Sequence, residues 1–245
     1  MPKAAACQGR GAPSGGIARA ADLWNKGEGR ETQLKWRRDG TMRKILVGIS
    51  GASGMPLALR LLGHLAAMPD VDLSCVVSDG AAAVLDAECG LAPDAFTRHA
   101  RHVYPADDLG AGPASGSWWH GEGGQAAMLV VPCSMGTLGA LASGATRNLL
   151  QRAADVALKE SLRLVLVTRE SPLSAIHLRN MLALREAGAV IMPFSPGFYL
   201  RPQSLEAMLD HLCGRILDQA GLPHRLGRWA PGTATPCPII QGDQP

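Results

Sequence analysis

The chain has 245 residues, of which 47% are hydrophobic and 18% charged, enough apolar material for the core of one ordinary domain. It holds no run of about 18 apolar residues, and no apolar segment follows its basic N-terminus, so neither a membrane span nor a secretory signal is expected. Residues 1–43 carry nine Lys/Arg against four Asp/Glu and the remainder 15 against 17, so the main body lacks the basic footprint of a nucleic-acid binder.

Residues 1–41 are rich in Gly, Ala and Arg without apolar periodicity and read as a disordered extension. Met42, directly before the first regular segment, is an alternative start. Lys44–Ile49 is a short apolar, β-branched run and predicts a buried strand. Met55–Ala67 has helical spacing of Leu57, Leu61, Leu62 and Leu65. Val71–Val77 reads as a strand, Gly80–Glu88 as a helix, and residues 90–125 as irregular. Ala127–Val131 predicts a strand, followed by helices from about Thr137 and over Ala153–Glu160. Leu162–Thr168 and Ala189–Met192 read as strands, Leu173–Ala187 and Gln203–Gln219 as helices. Strands alternating with helices predict a single-domain α/β fold, Rossmann-like (flavodoxin-like), with a parallel sheet and helices on both faces.

The cysteines Cys7, Cys75, Cys89, Cys133, Cys213 and Cys237 form no Cys-x-x-Cys pair and no zinc-spaced cluster. They read as free thiols in a reducing, cytoplasmic compartment. Cys133 has no histidine near it in sequence and reads as a buried structural thiol. His99 and His102 read as surface residues rather than metal ligands, and no metal is expected.

In open α/β sheets, ligands bind beyond the carboxyl ends of the strands. The segment Gly48-Ile-Ser-Gly-Ala-Ser-Gly54 runs from a strand into a helix. It is either a plain tight turn or a phosphate cradle, and the cradle is favoured: glycines admit close approach, helix N-terminal amides attract anions, and Ser50 and Ser53 add hydroxyls. The spacing is not the dinucleotide G-x-G-x-x-G, a P-loop or a nucleophile elbow. Asp79, at the end of the second strand, keeps a nicotinamide dehydrogenase in view. Ser134 and Thr137 start another helix, where N-capping and a second ligand contact are equally open. Arg152, Asp155 and Lys159 share one helical face, ordinarily a solvated ion-pair face. Arg169-Glu170 ends a strand; an ion pair between them is expected, although an Arg suits phosphate and a Glu can move protons.

The ordered set of Gly48–Gly54, Ala114-Ser-Gly-Ser117, Val131-Pro-Cys-Ser-Met-Gly-Thr-Leu138, Arg152–Glu160, Arg169-Glu-Ser-Pro172, Ile176-His-Leu-Arg-Asn-Met181 and Pro196-Gly-Phe-Tyr-Leu-Arg-Pro-Gln-Ser204 resembles the UbiX/Pad1 flavin prenyltransferase family. The resemblance spans roughly Met42 to Trp229, making 42–230 the flavoprotein domain and 231–245 a C-terminal tail.

It implies a metal-independent enzyme that joins the dimethylallyl group of dimethylallyl phosphate to N5 and C6 of reduced FMN. The product, prenylated FMN, serves UbiD-type decarboxylases. The resemblance assigns FMN contacts to Gly51, Ala52, Ser53, Ser78, Ser134, Met135, Gly136, Thr137 and Arg169. It assigns the substrate phosphate to Arg152, Lys159, Tyr199 and Arg215, and catalytic roles to Glu170, Ser53 and Glu88. It also implies a homo-oligomer, a dodecamer with sites built between subunits, so that Arg152 and Lys159 serve a neighbour's site. Two other readings are an FMN-dependent cysteine decarboxylase, whose Pro-x-Met-Asn segment is missing here, and a non-catalytic flavin carrier. The Gly/Trp-rich stretch Gly110–Gly124 has no assigned role.

Overall fold

Apolar runs that alternate between two buried faces make the sheet of this computed structural model, which describes residues 42–120 and 125–228. The expected extension 1–41 and tail 231–245 lie outside the described residues.

The strands are β1 (Arg43–Ile49), β2 (Val71–Val77), β3 (His102–Pro105), β4 (Ala126–Cys133), β5 (Arg163–Thr168) and β6 (Val190–Pro193). They form one parallel sheet in the order β3-β2-β1-β4-β5-β6, the doubly wound Rossmann order. The helices are α1 (Met55–Ala66), α2 (Asp79–Cys89), α3 (Asp94–Thr97), α4 (Gly116–Trp119), α5 (Met135–Ala142), α6 (Leu149–Lys159), α7 (Ala175–Glu186) and α8 (Leu205–Ala220). A single 3-10 turn, Gly112–Ala114, precedes α4.

Side-chain alternation along the strands separates two cores. Ile45, Val47 and Ile49 of β1 pack with Leu57 and Leu61 of α1, Leu85 of α2, and Leu212 and Ile216 of α8. Leu46 of β1, with Met128 and Val130 of β4, faces the other way, onto Leu138 of α5 and Leu149, Ala153 and Val156 of α6. Thus α1 and α8 cover one face of the sheet, and α5 and α6 the other.

Residues 90–120 are less irregular than expected. They contain β3, which extends the sheet by pairing His102–Pro105 with Ser74–Val77. Trp119 is 1% exposed, and its indole N–H donates to the Pro113 carbonyl at 3.2 Å, so Trp119 is anchored in the second core. Lys44 lies 4.4 Å over the Trp118 ring and donates to the Trp118 carbonyl. Among the described residues, no helix is long and apolar enough to cross a membrane, and no acidic, His or Cys group could hold a metal.

Candidate active site

The strand order reverses between β1 and β4, and the loops that leave their carboxyl ends are bound to each other there. The Ser50 hydroxyl donates to the Pro132 carbonyl at 2.8 Å and accepts from the Ser134 N–H at 2.7 Å. Ser50 is only 1% exposed, so its hydroxyl is a fastener between loops; this corrects the expectation that it donates to a ligand. The neighbouring strand ends join the same point. The Ser78 N–H donates to the Ile49 carbonyl at 3.0 Å, and the Arg169 N–H to the Cys133 carbonyl at 3.3 Å.

Glycines permit these close approaches. A Cβ on Gly51 would lie 2.9 Å from the Gly80 carbonyl carbon, so the loop after β1 and the first turn of α2 touch backbone to backbone. Gly54 has φ +125° at the start of α1, a conformation open to glycine, and a Cβ there would meet the Phe194 ring at 3.0 Å.

Two helix N-termini open onto this point. At α5, the Ser134 hydroxyl accepts from the Thr137 N–H at 3.2 Å and donates to the Thr137 hydroxyl at 3.1 Å, so the capping reading holds. The space beside Gly136 is empty to 4 Å around a would-be Cβ, so the first turn of α5 has room beside it. Cys133, just before, is fully buried, and its thiol is pushed up to about 12 by that burial, as expected of a structural thiol.

At α1, Glu88 is the cap. Its carboxylate accepts from the Gly54 N–H at 3.0 Å and the Met55 N–H at 2.8 Å. Burial pushes this carboxyl upward, but hydrogen bonds from Ser53, Gly54 and Met55, with the charge of Arg169, outweigh it and hold the group below the ordinary carboxylate value. Ser53, Glu88 and Arg169 are therefore brought together. The expected Arg169–Glu170 ion pair does not form: the Arg169 charge falls on Glu88, while Glu170, exposed, accepts from the Ser171 N–H at 3.1 Å.

The nine expected FMN-contacting residues thus lie at the carboxyl ends of β1, β2, β4 and β5. Their N–H groups, hydroxyls and one guanidinium are the kinds of donor that fit a phosphate-bearing flavin.

The four expected substrate-phosphate residues divide into two pairs. Tyr199 and Arg215 line one pocket of 540 Å³ with Met192, Pro193 and His211. Arg152 and Lys159 sit on α6, across the sheet from α8. Arg152 pairs with Asp155 at 2.8 Å and donates to the Ala114 carbonyl at 3.2 Å, while Lys159 pairs with Glu160, which also meets His120 at 3.1 Å. Lys159 ends α6 at the amino end of β5, whereas Tyr199 follows the carboxyl end of β6. One protomer does not gather all four.

Chemical groups that sequence reasoning passed over are Asp218 and Arg228, which share the pocket of Tyr199 and Arg215. The i, i+3 spacing of Arg215 and Asp218 was the available signal.

The flavoprotein family model matches residues 34–217. Flavin prenyltransferase UbiX of Deinococcus radiodurans is 47% identical over 179 residues, covering 73% of this chain and 89% of the relative. The solved structure of AnUbiX (PadA1) in complex with FMN and dimethylallyl pyrophosphate is 41% identical with a TM-score of 0.70, covering 77% of this chain and all of that one. A dodecameric FMN-dependent UbiX-like decarboxylase from Escherichia coli O157:H7 is 40% identical with a TM-score of 0.72 over the same shares.

Proposed function

The chain belongs to the UbiX-type flavin prenyltransferases of the flavoprotein family, and we propose that it prenylates reduced FMN at N5 and C6 with dimethylallyl phosphate. Phosphate leaves, and prenylated FMN is the product; its consumer is a UbiD-type decarboxylase. The observation that carries this reading is the crevice at the β1/β4 reversal, where Ser50 locks the two loops that present Ser53, Ser134 and Thr137.

Bound reduced FMN supplies the nucleophilic N5 and C6. Gly51, Ala52, Ser53 and Ser78 form one wall of its site, and Ser134, Met135, Gly136, Thr137 and Arg169 the other. The α5 N-terminus and Arg169 suit its anionic end. Glu170 is the proton carrier: it is exposed, and its carboxylate accepts from the Ser171 N–H. Glu88, fixed by two backbone N–H groups, positions Ser53 and the start of α1 rather than ferrying protons.

The substrate phosphate is held by Tyr199 and Arg215 of one copy and by Arg152 and Lys159 of another. Placement on opposite faces of the sheet supports this division, and so does the exposed apolar surface of Ile176, Leu182, Phe198 and Leu205. The assembly is a homo-oligomer, in the form of a dodecamer. Cys75, Cys89, Cys133 and Cys213 are all free thiols, which supports a reducing, cytoplasmic location.

Phosphate release tests the reaction. Inorganic phosphate should appear only when reduced FMN and dimethylallyl phosphate are both present. Equal release without flavin contradicts the proposal.

A further inference from the structure

The pocket that holds Tyr199 and Arg215 contains a second guanidinium that no assigned role explains. Asp218, one turn after Arg215 on α8, accepts from Arg215 at 2.9 Å through one carboxylate oxygen. Its other oxygen accepts from Arg228 at 2.5 Å and from His224 at 3.0 Å. The His224 side chain is 2% exposed, and its Nδ1 accepts from the Leu226 N–H at 3.2 Å. The ring proton therefore sits on Nε2 and points at Asp218. Arg228 also lies 3.2 Å from that Nε2, but two donors face each other there, so the hydrogen bond that holds the guanidinium is the one to Asp218.

The segment is built to bring Arg228 in. The chain turns back after α8 at Gly221, which has φ +72°. It then lies against Gly214, where a Cβ would sit 3.0 Å from the His224 ring and 3.3 Å from Leu226. The Asp218 side chain is 19% exposed, whereas Arg215 and Arg228 are 53% and 62% exposed. Two guanidiniums thus converge on one half-hidden carboxylate and leave a surplus positive charge beside the Tyr199 phenol. Each guanidinium has five N–H donors and commits one to Asp218. Like charges gathered this way favour an anion that completes the neutralisation.

We propose that Arg228 is a further donor to the phosphate of the allylic substrate, and that Asp218 is the positioning residue that sets Arg215 and Arg228 as one fork. This rests on the assignment of Tyr199 and Arg215 to that phosphate.

The test is calorimetric titration of dimethylallyl phosphate into the full chain loaded with oxidised FMN, where no prenyl transfer runs. Arg228→Ala should weaken binding about tenfold, with Arg228→Lys recovering part of the loss. Asp218→Asn should weaken binding in the wild-type background and much less once Arg215 and Arg228 are both alanine. Retained FMN absorbance and unchanged assembly establish that each variant is folded. Wild-type affinity in Arg228→Ala overturns this inference and leaves the assigned function standing. No binding by the wild-type protein overturns both.

Discussion

Ser50 and Ser134 are hydrogen-bonded at 2.7 Å across the point where the sheet reverses its strand order, hydroxyl oxygen to backbone N–H. The same hydroxyl reaches Pro132, so one buried side chain of β1's loop bonds two backbone groups, one at the end of β4 and one just after it. The tie joins the two loops that the proposed flavin site draws on.

Ser50→Ala leaves the partly buried Ser134 N–H unpaired, while the Pro132 carbonyl keeps the Ser50 N–H at 3.3 Å, at a cost of about 1–3 kcal/mol. Chemical denaturation should show that loss, and flavin titration should show FMN affinity reduced roughly tenfold. Unchanged FMN affinity would separate the tie from the site.

Glu88→Gln removes the carboxylate that caps α1. The group is exposed, so the expected loss is small, about 0.5–1 kcal/mol. Its folded pKa lies below the ordinary value, so its contribution is present above the unfolded carboxylate pKa and disappears as pH falls through the folded one. The melting temperatures of wild type and variant should therefore differ at pH 7 and converge in acid.

On the far side of α1, Asp210 of α8 accepts from Arg60 at 2.6 and 2.7 Å and meets His64 at 2.7 Å. The Arg60 hydrogen bond leads the effects that lower its carboxyl to about 2, with burial opposing. The resulting stability is present above the unfolded carboxylate pKa of about 4 and is lost as pH falls toward 2. Asp210→Asn should cost on the order of 1 kcal/mol near neutrality and flatten the acid limb of a melting-temperature profile. A limb as steep as wild type's would remove this triad as its source.

Strands β1, β2, β4 and β5 are legible as apolar runs because both their faces are buried. Strand β3 is not: His102–Pro105 is short, half-exposed and bonded on one side only, so no apolar pattern marks it. The loops of the crevice announce themselves by Gly, Ser and Thr. The tie at Ser50 does not, because Pro132 is 82 positions away. Nor does sequence separate Arg152 from Arg215 in space. Right-handed crossovers on either side of the β1/β4 reversal place α1 and α6 on opposite faces, and α8 then returns to α1's face.

That separation makes a sharp prediction. Lys159→Ala and Arg215→Ala should each be nearly inactive alone. Mixed, dissociated and reassembled, they should regain activity at about a quarter of the sites, where each variant supplies the residue the other lacks. No recovery after verified subunit exchange would contradict a site that takes Lys159 and Arg215 from different protomers.

The most direct measurement is the mass of the flavin. Anaerobic incubation of the full chain with reduced FMN and dimethylallyl phosphate should yield a flavin heavier than FMN by one dimethylallyl unit, with Glu170→Gln binding FMN but forming the adduct far more slowly. FMN recovered at unchanged mass from the wild-type protein, with both substrates shown to bind, would contradict prenyl transfer and leave a flavin carrier.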